Sequence, residues 1–491
     1  MRPAIAGRFA FNQVNLHRKF IDMFIKQLYT GCLSEAAYYI ESNGEAAIID
    51  PLRYSDIYLD LANERKAKIK YIFETHFHAD FVSGHLDLSK ATGAPIIYGP
   101  NTKTNFPVHV AKDGETFKLG ELTFKVLHTP GHTLESSCYL LKDASGKNHS
   151  IFTGDTLFVG DVGRPDLAQK GAEITMADLA GMMYDSIHTK LFPLEDDVLV
   201  YPAHGPGSSC GKNLGPNTHS TIGEEKENNY ALKAESKEEF IQQVTDGIQA
   251  PPTYFPINAK INKEGYDSLD DVLIKGLKGL SVKEFKAALS EDTIILDTRN
   301  ATVFTNGFIP NSISIGLEGR FAEWAGSILP FESPMLLVTE QGQEKETIIR
   351  LARVGFDKVK GYLEGSFEAW QNADEEIDMI IDIEADELMM DMPHDKNLVV
   401  VDVRRTTEFA DGHLKDAKNI SLIDMTDPAV MSDLEETQNL YLHCAGGYRS
   451  VIAASLLKRQ GIHNLRNILG GWAKIKEQEK AEIVKETSVL N

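Results

Sequence analysis

The stretch IFETHFHADF, residues 72–81, decides how the N-terminal half of this 491-residue chain is read. It closes a β-branched apolar run, IKYIFET (69–75), and at once presents His76, His78 and Asp80 two positions apart, at the end of a strand where the chain turns. Imidazoles and a carboxylate at that spacing can face one point and hold a cation. Working outward, AAIID (46–50), LTFKVLHT (122–129), SIFTGD (150–155) and VLVYPA (198–203) also read as buried strands bounded by Gly, Pro, Asp or Asn. The last three lead into further candidates: His132 in TPGHT (129–133), Asp155 in TGDT (153–156), and His204. Glycines beside His132 and Asp155 let the backbone bring those side chains in closely. Groups of this kind at the C-terminal ends of several strands are where an α/β sheet builds a site, because the loops there converge over a rigid support. On residue type alone, His76 and His78 are equal candidates.

The C-terminal half repeats itself. TIILDTR (293–299), MLLVTE (335–340), a helical ETIIRLARVGF (346–356) and EGSFEAW (364–370) recur in order as LVVVDVR (398–404), LYLHC (440–444), SVIAASLLKRQGI (450–462) and LGGWAKI (469–475). Asp297 precedes Glu340 by 43 positions and Asp402 precedes Cys444 by 42, so Glu340 aligns with Cys444. The organisation expected is an N-terminal extension (1–22), a metal-type domain (23–257) and two copies of one α/β unit (273–375 and 379–491). The polar NAKINKEGYDSLDDV (258–272) reads as a linker, and the acidic NADEEID (372–378) divides the copies.

A formal charge of -22 argues against nucleic acid or an anionic membrane as the partner, since those surfaces attract Lys and Arg. Four cysteines without CxxC spacing indicate neither a disulfide framework nor a thiolate zinc site, and a reducing, cytoplasmic setting is expected. No apolar run reaches the length that spans a bilayer. The first twenty residues are basic and free of acids, in composition like a transit peptide, and are read as an extension.

Residues 23 to about 250 resemble the metallo-β-lactamase superfamily, whose signature is HxHxDH followed by single His, Asp and His ligands; here it reads His76, His78, Asp80 and then Phe81. The resemblance implies an αββα sandwich. Two-metal hydrolases of the glyoxalase II type take a second-metal ligand from the histidine after the aspartate. Phenylalanine offers no lone pair, so a single metal is expected. Two imidazoles and one carboxylate on one face of a metal suit non-haem Fe(II) oxygen chemistry. Persulfide dioxygenases of this superfamily use such a site, and likeness to them implies one Fe(II) per chain held by His76, His132 and Asp155. It implies that His78, Asp80 and His204 orient those ligands or meet substrate. In GDVGRPDL (160–167), Arg164 either fixes a loop or meets an anionic substrate. The stretch YPAHGPGSSCGKNLG (201–215) looks like that of bacterial dioxygenase–rhodanese fusions. Cys210 and Cys32 are read as inert thiols, with redox activity as the alternative, and Cys138 as core.

CAGGYR (444–449) follows an apolar strand and enters a helix, so the backbone N–H groups of Ala445, Gly446, Gly447 and Tyr448 form a nest suited to a thiolate, a persulfide or an oxyanion. Arg449 adds a fixed positive charge for recognising an oxyanion such as sulfite. With VDVRRTTEF (401–409) and GHLKDAKNISL (412–422), this loop resembles the rhodanese family, which implies a persulfide on Cys444. In the first copy EQGQEKE (340–346) has no nucleophile, and that unit is expected to be structural only. The combined expectation is oxidation of a low-molecular-weight thiol persulfide by O2 to sulfite, which then takes sulfur from Cys444 to give thiosulfate; related proteins imply a homo-oligomer. The rivals are a zinc-dependent thioester hydrolase of glyoxalase II type with appended sulfurtransferase domains, and a non-enzymatic sulfur relay or persulfide sensor.

Overall fold

In the computed structural model residues 23–168, 174–212, 214–427, 429–432 and 434–486 are described; the extension expected at 1–22 lies outside them. Two six-stranded sheets form the first unit, one running in chain order from Met23–Thr30 to His109–Val110 and the other from Thr116–Leu119 to Ser220–Thr221. Alternation along Glu35–Ser42 explains the layering, since successive side chains leave opposite faces of a strand. Ala36, Tyr38 and Ile40 enter the core between the sheets with Phe73, Phe124 and Phe152. Ala37 and Tyr39 face the helices Asp56–Arg65 and His85–Thr92. Met183 and Phe240, from Met176–Ser186 and Lys237–Thr245, cover the outer face of the second sheet. This is the expected αββα sandwich.

Each repeat forms a five-stranded sheet whose paired strands are all parallel. The duplication extends to buried polar detail. Arg404 clasps Asp402 and donates to Gly412 O at 2.7 Å, while Arg299 clasps Asp297 and donates to Gly307 O at 2.9 Å.

The segment expected to be a linker is not one. Residues 258–272 lie mostly in two helices, Phe255–Glu264 and Leu269–Gly276, the second capped by Ser268, whose hydroxyl accepts from Asp271 N. Asn258 and Asn262 are wholly buried. The Asn262 amide bonds to backbone groups instead of water, so its polarity reports internal hydrogen bonding, not exposure.

Candidate functional site

Four strand ends build the first site. His76 follows Lys68–Phe73, His132 follows Leu122–His128, Asp155 follows Asn148–Gly154 and His204 follows Leu199–Pro202. The chains meet so closely that a Cβ on Gly163 would lie 1.9 Å from Asp155 O and 3.0 Å from His132 Nδ1. All four functional side chains are buried. His132 Nε2 lies 3.4 Å from Asp155 Oδ2, and His76 Nε2 lies 3.7 Å from the same oxygen.

The surrounding hydrogen bonds set the tautomers. His132 Nδ1 donates to Arg164 O at 2.9 Å. His76 Nδ1 donates at 2.9 Å to Thr75 Oγ1, whose own proton goes to Asp50. Both Nε2 lone pairs are thereby left facing Asp155. Neither His132 Nε2 nor Asp155 Oδ2 has a hydrogen-bond partner, an expensive arrangement for buried polar atoms unless a cation sits among them. Burial, and then His78, hold the His76 pKa well below its ordinary value, so its imidazole is neutral and available. Burial tends to raise the pKa of Asp155, but the charged His204 beside it outweighs this and keeps the carboxylate ionised. The donor set fits a single divalent cation with open positions.

His204 joins Asp155 Oδ1 at 2.7 Å to Asp80 Oδ2 at 2.8 Å. Burial opposes its charge, yet the two carboxylates raise its pKa well above the ordinary value, giving an imidazolium that donates on both sides. His78 turns away from this group, its Nε2 at 3.1 Å from Asp50 and 3.7 Å from Glu74. Phe81 stacks on its ring at 4.3 Å. Arg164 is committed to the loop: it grips Asp166 through two bonds and donates to Ser209 O and Gln249 O. Of the two uses expected of Arg164, these bonds are those of a residue that ties its loop to the segments at Ser209 and Gln249. Burial raises the Cys138 thiol to about 11 and the Cys210 thiol well above its usual value.

Sequence reasoning missed the supports of the signature loop. Asn262 donates to His78 O and Phe81 O, each at 2.8 Å, and accepts from Ser83 N at 2.9 Å. Val82 N donates to Arg353 O, at the end of a helix of the first repeat. No local signal marks such contacts, because both partners are remote in the chain.

Cys444 opens the second site at the end of Asn439–His443, before the helix Tyr448–Arg459. Gly447, with φ of +103°, turns the loop so that its N–H donates to Cys444 Sγ at 3.1 Å. Ala445 and Gly446 are exposed, and a cavity of about 260 Å³ opens beside Gly446, Gly447 and Tyr448. Arg449 does not point a free fork at the loop as expected; Glu408 holds both its terminal nitrogens, at 2.7 and 2.8 Å. In the first repeat Glu340 is exposed and accepts from Asn300 N at 3.3 Å, leaving no nucleophile at the aligned place.

Residues 30–204 match the Metallo-beta-lactamase superfamily, and residues 281–373 and 384–478 each match the Rhodanese-like domain. A crystal structure of a metallo-beta-lactamase from Staphylococcus aureus is 32% identical and covers 69% of this chain and 98% of its own, with a TM-score of 0.63. A crystal structure of ETHE1 from Myxococcus xanthus is 31% identical over 49% of this chain and 98% of its own, with a TM-score of 0.42. A probable hydroxyacylglutathione hydrolase from Schizosaccharomyces pombe is 32% identical over 36% of this chain. This chain spans 66% of that relative's length and 61% of a hydroxyacylglutathione hydrolase from Francisella tularensis.

Proposed function

The chain belongs to the metallo-beta-lactamase superfamily and carries two tandem rhodanese-like domains, and on that footing we propose that it is an iron-dependent persulfide dioxygenase coupled to a sulfurtransferase. The observation that carries the reading is Phe81, buried and stacked on His78 beside a triad of two imidazoles and one carboxylate. His76, His132 and Asp155 would hold one Fe(II), whose unpaired electrons would let triplet O2 react with a singlet substrate, the four electrons of the oxidation coming from the persulfide sulfur. The chain's own residues do the rest. Arg164 O and Thr75 Oγ1 keep the two imidazoles in the required tautomer, and His204 clamps Asp155 to Asp80. A persulfide, O2 and water give the free thiol, sulfite and protons in balance. At the second site the Gly447 N–H stabilises sulfur charge on Cys444. Sulfite attacks the outer sulfur of a Cys444 persulfide; the S–S bond to the enzyme breaks, one to sulfite forms, and thiosulfate leaves with the thiolate restored.

One observation favours a two-metal hydrolase: Asp80, His204 and Cys210 offer ligand atoms within 4.8 Å of one another. Against it, position 81, where the two-metal hydrolases take a further ligand of the second metal, holds a phenylalanine with no lone pair to offer. Oxygen uptake by the anaerobically purified protein on addition of glutathione persulfide tests the choice. Consumption of oxygen with release of sulfite or thiosulfate is expected; thioester hydrolysis without oxygen consumption overturns the proposal.

A further inference from the structure

The cavity of about 260 Å³ beside the Cys444 loop has walls from both repeats, with Asn300, Thr302 and Glu318 of the first facing Gly446, Gly447 and Tyr448 of the second. Its size approaches the lower end of the ~300–1,000 Å³ that sites for small organic molecules occupy. Such a volume holds the body of an organic thiol, not only a sulfur anion. Tyr448 ties the walls together, its hydroxyl donating to Gly316 O at 2.8 Å. The repeat without a nucleophile thus supplies one wall of the space beside the nucleophile of the other.

The walls are mostly neutral. Among the described lining residues Glu318 alone carries a charge. It is exposed, and among the described residues it makes no hydrogen bond or ion pair. The guanidinium groups around it are engaged elsewhere: Arg449 with Glu408, Arg320 with Glu323, and Arg350 with Glu346 and Leu317 O. At the loop, the Gly447 N–H stabilises one anionic sulfur. No described lining residue balances a second negative charge. The sulfonate end of thiosulfate, or a phosphate on a carrier, therefore meets like charge at Glu318, whereas an ammonium group meets opposite charge.

We infer that Cys444 is loaded by a thiol persulfide bearing an ammonium group, of amino-acid or peptide type, and that Glu318 is the residue that selects it. This rests on the sulfurtransferase half of the reading above. The Cys444 thiolate attacks the outer sulfur of the donor; an S–S bond to Cys444 forms and the donor's own S–S bond breaks. The donor leaves as a thiolate and takes the proton of its former SH group, so Cys444 is left as a persulfide anion. Thiosulfate made in the second half-reaction leaves a cavity that repels it, so the same carboxylate keeps the product from reloading the cysteine.

The test is run without oxygen on the full chain, with cysteine persulfide, N-acetylcysteine persulfide or thiosulfate as donor. Peptide mass spectrometry follows the rate at which Cys444 gains one sulfur. Acetylation removes the ammonium charge, and dividing the rate ratio of the two persulfides in the parent by that ratio in Glu318→Gln cancels their difference in intrinsic reactivity. A quotient of about 3-fold or more in favour of cysteine persulfide is expected, the worth of an exposed ion pair. Glu318→Lys should load from thiosulfate faster than the parent does. A quotient near one, or no gain with thiosulfate in Glu318→Lys, overturns Glu318 as the selector. Thiosulfate loading the parent as fast as cysteine persulfide overturns the ligand class. Failure of every donor to place sulfur on Cys444 overturns the sulfurtransferase reading itself.

Discussion

Phe81 occupies the place where a second-metal ligand stands in the two-metal relatives, and its replacement is the most direct probe at the scale of one side chain. Phe81→His is expected to raise bound metal from one to two ions per chain, read by elemental analysis; an unchanged count would show that position 81 does not set nuclearity. Asp155→Ala removes the oxygen that both free Nε2 atoms face. It should weaken metal retention by at least about 100-fold, the upper range seen for lesser changes around metal ligands; wild-type stoichiometry after dialysis would remove Asp155 from the ligand set. Cys444→Ser should leave oxygen uptake intact and shift the product from thiosulfate to sulfite, and persistent thiosulfate would break the coupling. The residue types at these positions were legible because strand ends are local. The choice between His76 and His78 was not, because it depends on Asp50 and Glu74 drawing His78 aside, a contact made only in the folded chain.

Among the elements, the helix Phe255–Glu264 matters most for the metal loop, since Asn262 saturates three backbone groups of residues 78–83. Asn262→Leu keeps the volume and leaves those groups without partners, at about 1–3 kcal/mol apiece. A loss of about 3 kcal/mol in denaturant unfolding is expected, together with faster iron release to a chelator; unchanged iron release would confine Asn262 to stability. This helix was illegible as an element of the site because NAKINKEGYDSLDDV is polar, and polarity was read as a loop. The repeated strands were legible, since LVVVDVR and TIILDTR are apolar runs long enough for a strand buried on both faces. What they could not disclose was that Arg449 meets Glu408, a pair brought together by packing of two segments of the last sheet's helices.

Across the whole molecule, the metal-binding and first rhodanese-like domains are bolted together through Arg53. It is fully buried, grips Asp357 through two bonds, and donates to Ala352 O and Asp267 O. Arg53→Met should cost about 3 kcal/mol, the low end for breaking a buried pair because Asp357 keeps some contact with water. Calorimetry should then resolve two unfolding steps where one is expected of the parent chain, and a single unshifted transition would show the two units to be independent of this contact. The domain order and the duplication could be read from periodicity and spacing, whereas contacts between domains, Arg53 among them, join residues some 300 positions apart and leave no local pattern. The account as a whole depends on one redox-active ion in the first site. Iron and zinc should be quantified on anaerobically purified full chain while oxygen is followed on addition of glutathione persulfide: one iron per chain with oxygen consumed is the predicted result, and two tightly held zinc ions with no oxygen consumed would contradict it.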